Sequence, residues 1–125
     1  MTNVVTLQLP RERDFFGVAH LVLGGLGARL ELTYDVLEDM TTAIDELLNR
    51  RETAADVTLT VKIEEDAIVA TVGPFEGRVA DELRATDPGL SLRRVLETSV
   101  DEVDVTERDG AQWVELRKLV NGGSA

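Results

Sequence analysis

The side chains able to do chemistry gather most densely at one place. Asp45, Glu46, Asn49 and Arg50 set two carboxylates, an amide and a guanidinium within six residues. Carboxylates and amides are oxygen donors for hard cations, and a positioned carboxylate can take up a proton. The competing reading is plainer: Glu46 is a solvated helix carboxylate, or it pairs with Arg50 one turn further on. His20 is the one histidine and there is no cysteine, which excludes the usual multi-histidine zinc sites, thiolate metal sites and disulfides. Gly24, Gly25 and Gly27 do not make a phosphate loop, because no Lys-Ser/Thr follows them and no strand leads directly into them.

The element that must position the first cluster runs from Tyr34 to Arg51. Its apolar residues Val36, Leu37, Met40, Ala43, Ile44, Leu47 and Leu48 fall at spacings of three and four, one stripe on a helix. Thr33 can cap its start, Asp35, Glu38 and Asp39 load its first turns, and Arg50 and Arg51 close it, which suits the helix dipole. Before it, residues 4–9 read as a strand stopped by Pro10. Residues 11–30 follow as a helix, weakened by its glycines and open to a break near Gly24 or to close packing there. After it, residues 56–63 alternate as a half-buried strand, an acidic turn follows at 64–66, and residues 67–72 return as a hairpin partner. Residues 73–89 hold three Gly and two Pro, with a short helix expected at VADEL. A helix over 90–99 and strands over 101–107 and 112–120 complete the order, the last two joined at Asp109-Gly110 with Trp113 or Val114 turned inward. Grouped helices and hairpin strands predict an α+β two-layer sandwich, a mostly antiparallel sheet with about three helices on one face. Residues 1–120 are expected to form a single domain and 121–125 a frayed tail.

Composition narrows the partners. The 125 residues carry a formal net charge of -11, with 13 Lys+Arg against 24 Asp+Glu. Such a surface repels nucleic-acid phosphate and anionic lipid, and no basic patch intervenes. No apolar run approaches the ~20 residues that span a bilayer, and the N-terminus lacks a secretory layout, so the expected location is the cytoplasm.

Taken in order, the chain resembles the ATP-binding domain of the GHKL superfamily, and within it the anti-sigma-factor serine/threonine kinases of bacterial partner switching. The landmarks are LEDMTTAIDELLNR, the strands DVTLTVKI and AIVATV, the GPF turn, and DPGLSLRRVLETSVDEVDV. The resemblance covers roughly residues 4–119. It implies a Bergerat-like sandwich with a nucleotide site built from three pieces. In the first, a helix Glu is followed four residues later by an Asn that helps hold Mg²⁺. Glu46 matches the Glu, but Arg50 stands four residues on and Asn49 comes one position early, about 100° around the helix. A guanidinium has no acceptor with which to ligate Mg²⁺. The register Asp45 with Asn49 keeps the spacing and gives up the Glu.

The second piece is an Asp-x-Gly-x-Gly run whose Asp accepts the adenine amino group. Thr71 stands at the Asp position and only Gly73 remains of the glycines. The third is a Gly-x-Gly-Leu turn whose backbone N–H groups meet the phosphates. Gly89 and Leu90 match it, but Asp87 replaces the first Gly and Pro88 withholds an N–H. Two like charges at ~4 Å cost roughly 4 kcal/mol at an effective dielectric near 20.

Scaffold without contacts implies a non-catalytic, anti-sigma-like regulator with no cofactor. Its expected partner is a sigma factor or a STAS-type anti-anti-sigma protein, and a homodimer is an option. The alternative is an active ATP-dependent protein serine/threonine kinase, with Glu46 as general base and Asn49 or Asp45 on Mg²⁺. A third reading leaves the family aside and makes residues 73–89 the lid over another ligand, with Phe75 and Arg78 as contacts.

Overall fold

The computed structural model describes residues 3–50, 55–76, 81, 83 and 92–120. Five strands, β1 (Asn3–Pro10), β2 (Asp56–Ile63), β3 (Ala67–Phe75), β4 (Glu102–Arg108) and β5 (Ala111–Leu119), form one sheet in the order β1-β2-β3-β5-β4. Every neighbouring pair is antiparallel. Helices α1 (Arg13–Arg29), α2 (Tyr34–Leu48) and α3 (Leu92–Glu97) supply the second layer.

The layer follows from the pattern of each element. Across the sheet, Val5, Val61, Ala70, Leu116 and Val103 form one row, and Leu7, Leu59, Val72, Val114 and Val105 the next. Both rows belong to, or pack against, one core cluster, apart from Val5, which is half-buried. That cluster also takes Phe16, Ala19 and Leu23 from α1, Met40, Ala43, Ile44, Leu47 and Leu48 from α2, and Leu92 and Leu96 from α3. Side chains alternate along a strand, so the residues between these rows face the other side of the sheet. Lys118 lies on the helix side and reaches Asp39 of α2 at 3.0 Å, tying β5 to that helix.

Several expected boundaries shift for identifiable reasons. Pro10 does not stop β1 but ends it inside the sheet, opposite Asp56. The N–H of Arg11 donates to the Ala55 carbonyl at 2.8 Å, which makes positions 11 and 55 a bonded pair in the same register. Bonded and non-bonded pairs alternate in an antiparallel ladder. Leu9, Leu7 and Val5 therefore bond β2, while Val4, Thr6, Gln8 and Pro10 aim their backbone groups away from it. The N–H that proline lacks is one the ladder never needed.

α1 runs without a break through Gly24 and Gly25, and Gly27 is where close packing occurs. A Cβ there would overlap the end of Leu37 in α2, whereas one at Gly24 would meet open space. α2 ends at Leu48, the last residue of its apolar stripe and short of the basic end expected for it, with Asn49 as its C-cap. The Asp109-Gly110 turn forms as expected, with φ of 51° and 81° at its two central residues, the left-handed pair that matches strand twist. Val114 is the inward residue of β5, and Trp113 lies on the opposite face. Asp81 and Leu83, in the expected short helix, are helical, and the 121–125 tail lies outside the described residues.

The two glycines separate packing from propensity. Gly24→Ala should raise stability by about 0.5–1 kcal/mol, the helix-propensity gain alone. Gly27→Ala should lower it by about 1 kcal/mol or more, because overpacking outweighs that gain. Urea unfolding of both variants, followed by circular dichroism, checks the opposite signs.

Candidate functional site

The chemistry-bearing cluster sits at the C-terminal end of α2. Leu47 and Leu48 are buried there while Glu46 and Asn49 face solvent, so the helix stripe itself decides which side chains are free. Asp45 is held: His20 of α1 reaches its carboxylate with Nε2 at 2.7 Å. Asn49 turns its side chain back on the helix, its Nδ2 donating to the Asp45 backbone carbonyl at 2.8 Å. Its backbone N–H donates to that same carbonyl at 2.9 Å. The pair Asp45 and Asn49 thus keeps its four-residue spacing, but the amide caps a helix end and the carboxylate bonds to an imidazole. Arg50, in the place where the family resemblance puts a magnesium-holding Asn, is half-buried with its Nε out of water.

The second expected piece is placed differently from the first. Thr71 is in β3 between Thr60 and Glu115, and its neighbours Ala70 and Val72 point into the helix-side core. By strand alternation Thr71 faces the opposite side of the sheet from α2. Gly73 shares that outer face, and its lack of a side chain admits the Trp113 ring, with which an added Cβ would collide. The guanidinium of Arg108 lies 5.2 Å from the centre of that ring on the same side. Gly73 therefore has a packing role that sequence reasoning missed. The pairing of a Gly with a Trp across two strands was the only available signal.

The strand does not end at Val72 as expected. It continues to Phe75 through an irregularity in its pairing with β5, and the Gly73-Pro74 peptide bond within this stretch is cis. Phe75 is 2% exposed and part of the core, so it is not a lid contact. Arg11 covers this stretch: its Nη2 donates to the Pro74 carbonyl and its guanidinium lies 5.2 Å from the Phe75 ring centre. Nothing in the spacing of residues 11 and 74 announced that contact. Gly89 and Leu90, with Asp87, Pro88 and Arg78, lie outside the described residues.

The outer face has its own charge cluster. Arg117 bonds Glu64 at 2.9 Å and lies within 3.7 Å of Asp66 and 3.9 Å of Glu102. The hydrogen bond from Arg117 holds the Glu64 carboxyl below its ordinary value, and the same bond raises Arg117. Among the described residues no group of three or more His, Asp or Glu side chains could hold a metal ion, and no helix is long and apolar enough to cross a membrane.

The exposed and half-buried members of the α2 cluster should differ in stability. Glu46→Ala should stay within about 0.5 kcal/mol of the parent, as for most surface changes. Arg50→Ala should cost about 1 kcal/mol or more through lost packing of its stem. Thermal unfolding of the two variants side by side checks this.

Comparisons with known proteins fit this geometry. No family model matches the chain. It is similar to the serine-protein kinase RsbW of Listeria innocua, 26% identical over 145 aligned positions covering 97% of this chain and 90% of the relative. The serine-protein kinase RsbW of Bacillus subtilis is 25% identical, over 96% of this chain and 88% of its own length. A crystal structure of the RsbU and RsbW domains of a Mycobacterium tuberculosis protein superposes with a TM-score of 0.69 at 15% identity. That match covers 94% of this chain but 32% of the other, so the chain spans about a third of it, and the likeness concerns the fold alone.

Proposed function

We propose that the chain, which is similar to the RsbW serine-protein kinases, is a GHKL-like domain of the anti-sigma-factor kinase family and acts as a non-catalytic anti-sigma-like regulator. In this reading it works by binding a protein: a sigma factor, or a STAS-type anti-anti-sigma protein that competes for it. One observation carries the reading. The side chains at the described nucleotide positions are arranged for structure: Asn49 caps its own helix, Arg50 is half-buried where the family resemblance puts a magnesium-holding Asn, and Thr71 lies across the sheet from Glu46. A magnesium–phosphate complex needs oxygen donors converging on one point, and a cation in the ligand position opposes the metal. The formal net charge of -11 suits a partner that presents basic segments, since complementary charge steers association.

The runner-up is an ATP-dependent protein serine/threonine kinase. The names of the relatives favour it, and so does Glu46, which is exposed and could serve as a base. Mixing the purified chain with a sigma factor and with a STAS-type protein, each with labelled ATP and Mg²⁺, separates the two. The expected result is a micromolar complex with one of them and no label on serine. Serine labelling that disappears in Glu46→Ala would establish the runner-up, and the absence of binding to either protein would contradict the regulator.

A further inference from the structure

One edge of the sheet is β1, NVVTLQLP, which bears no charged side chain, and the other is β4, EVDVTER, which bears Glu102, Asp104, Glu107 and Arg108. On β4 the hairpin fixes which backbone groups are open. Arg108 and Ala111 close the two-residue turn as a bonded pair. Bonded and non-bonded pairs alternate from there, so Thr106, Asp104 and Glu102 bond β5, while Glu107, Val105 and Val103 aim their N–H and C=O groups away from the sheet. Arg93 of α3 bears out that direction: its Nη2 donates to the Val103 carbonyl at 3.1 Å, and its Nε to the Leu83 carbonyl at 2.9 Å. Val103 is thus partly covered. Among the described residues no backbone group bonds Val105 or Glu107 on the open side.

The outer face beside this edge holds a charge conflict. Asp104 stands directly opposite Glu115 in the register, and like charges in such a pair are destabilising. Arg117, two residues along β5 on the same face, is engaged by Glu64, Asp66 and Glu102 instead. Arg108 lies over the Trp113 ring. Among the described residues no cation pairs with Asp104 or Glu115. Charges on an edge strand keep it from pairing with another copy. Asp104 serves that purpose, but Glu115 lies one strand inside, where it protects no edge.

We propose that the β4 edge takes up an extended, Lys- or Arg-bearing segment of a protein partner as a further strand of the sheet. In such strand addition the main-chain bonds supply affinity and alternate side chains supply specificity. In antiparallel pairing the residues opposite Val105 and Glu107 each exchange two hydrogen bonds with β4. Those opposite Asp104 and Thr106 project onto the outer face by strand alternation. A cation there lies beside Asp104 and extends across the face toward Glu115, which relieves the conflict between the two carboxylates. Charge selects this occupant. A second copy of the chain would set acidic edge against acidic edge, whereas a basic segment is drawn to a chain of net charge -11. β1, without charge, makes no such selection. The edge site rests on the protein-binding function proposed above and adds where the partner's basic segment lies.

The probe is a blocked peptide of alternating Lys and Val, about seven residues long. It is added to the purified chain at up to about 1 mM, which reaches the weak binding of an interface under about 1,200 Å². Amide exchange followed by NMR should slow about tenfold or more at Val105 and Glu107 and stay unchanged along β1. The same peptide N-methylated at its valines, whose amides face β4 in the docked strand, keeps every charge and should not bind. Asp104→Asn combined with Glu115→Gln should keep the fold by circular dichroism and weaken binding about tenfold or more. No binding of the unmethylated peptide overturns the proposal. So does equal binding of the N-methylated one, which would be charge alone, or undiminished binding to a folded double variant. If the double variant does not fold, the N-methylated peptide decides: loss of binding supports the edge site and equal binding overturns it. A complex with a sigma factor or a STAS-type protein, without peptide binding, would overturn the edge site and leave the protein-binding function standing. Peptide binding with protection at Val105 and Glu107, but no complex with either protein, would support the edge site and contradict the regulator.

Discussion

The structure depends on one contact, the burial of the α2 stripe against the middle of the sheet. Met40, Ala43, Ile44, Leu47 and Leu48 are all 2% exposed or less. The larger of these side chains contribute about 1.5–3 kcal/mol each on burial. This packing fixes the rotation of α2 and hence what its polar side can do. Asp45 turns to His20, Glu46 to solvent, and Arg50 is drawn partly inward. Any chemistry at the helix end must be done with the groups that this rotation leaves free.

The same constraint separates the core from the polar end of α2. The core rows across β2, β3 and β5 face α2 and involve none of Glu46, Asn49 or Thr71. Those three positions therefore lie outside the rows that hold α2 to the sheet. Gly73 shows the reverse coupling, a position where the Trp113 ring needs the space.

Much of the fold was legible because its periodicities are clean. Alternation gave β2 its observed bounds, Asp109-Gly110 gave the β4–β5 hairpin, and the three-and-four spacing gave α2. The misses share a cause: each depends on tertiary geometry. Pro10 is tolerated because of which way one N–H points in an edge strand. α1 survives Gly24 and Gly25 because Phe16, Ala19, Leu23 and Gly27 hold the helix against the core and α2. The candidate site was legible as a set of positions but not as an arrangement. Sequence put Thr71 and Glu46 into one motif set, and only the strand's alternation, anchored by Ala70 and Val72, places Thr71 across the sheet.

The proposed function requires a nucleotide-binding scaffold that has lost its nucleotide contacts. Calorimetric titration of the purified chain with ATP and Mg²⁺, able to detect a dissociation constant near about 1 mM or 4 kcal/mol of binding free energy, tests it most directly. No saturable heat is expected. Saturable binding, lost on removing Mg²⁺ or in Glu46→Ala, would show that the altered positions form a rearranged site and would contradict the claim.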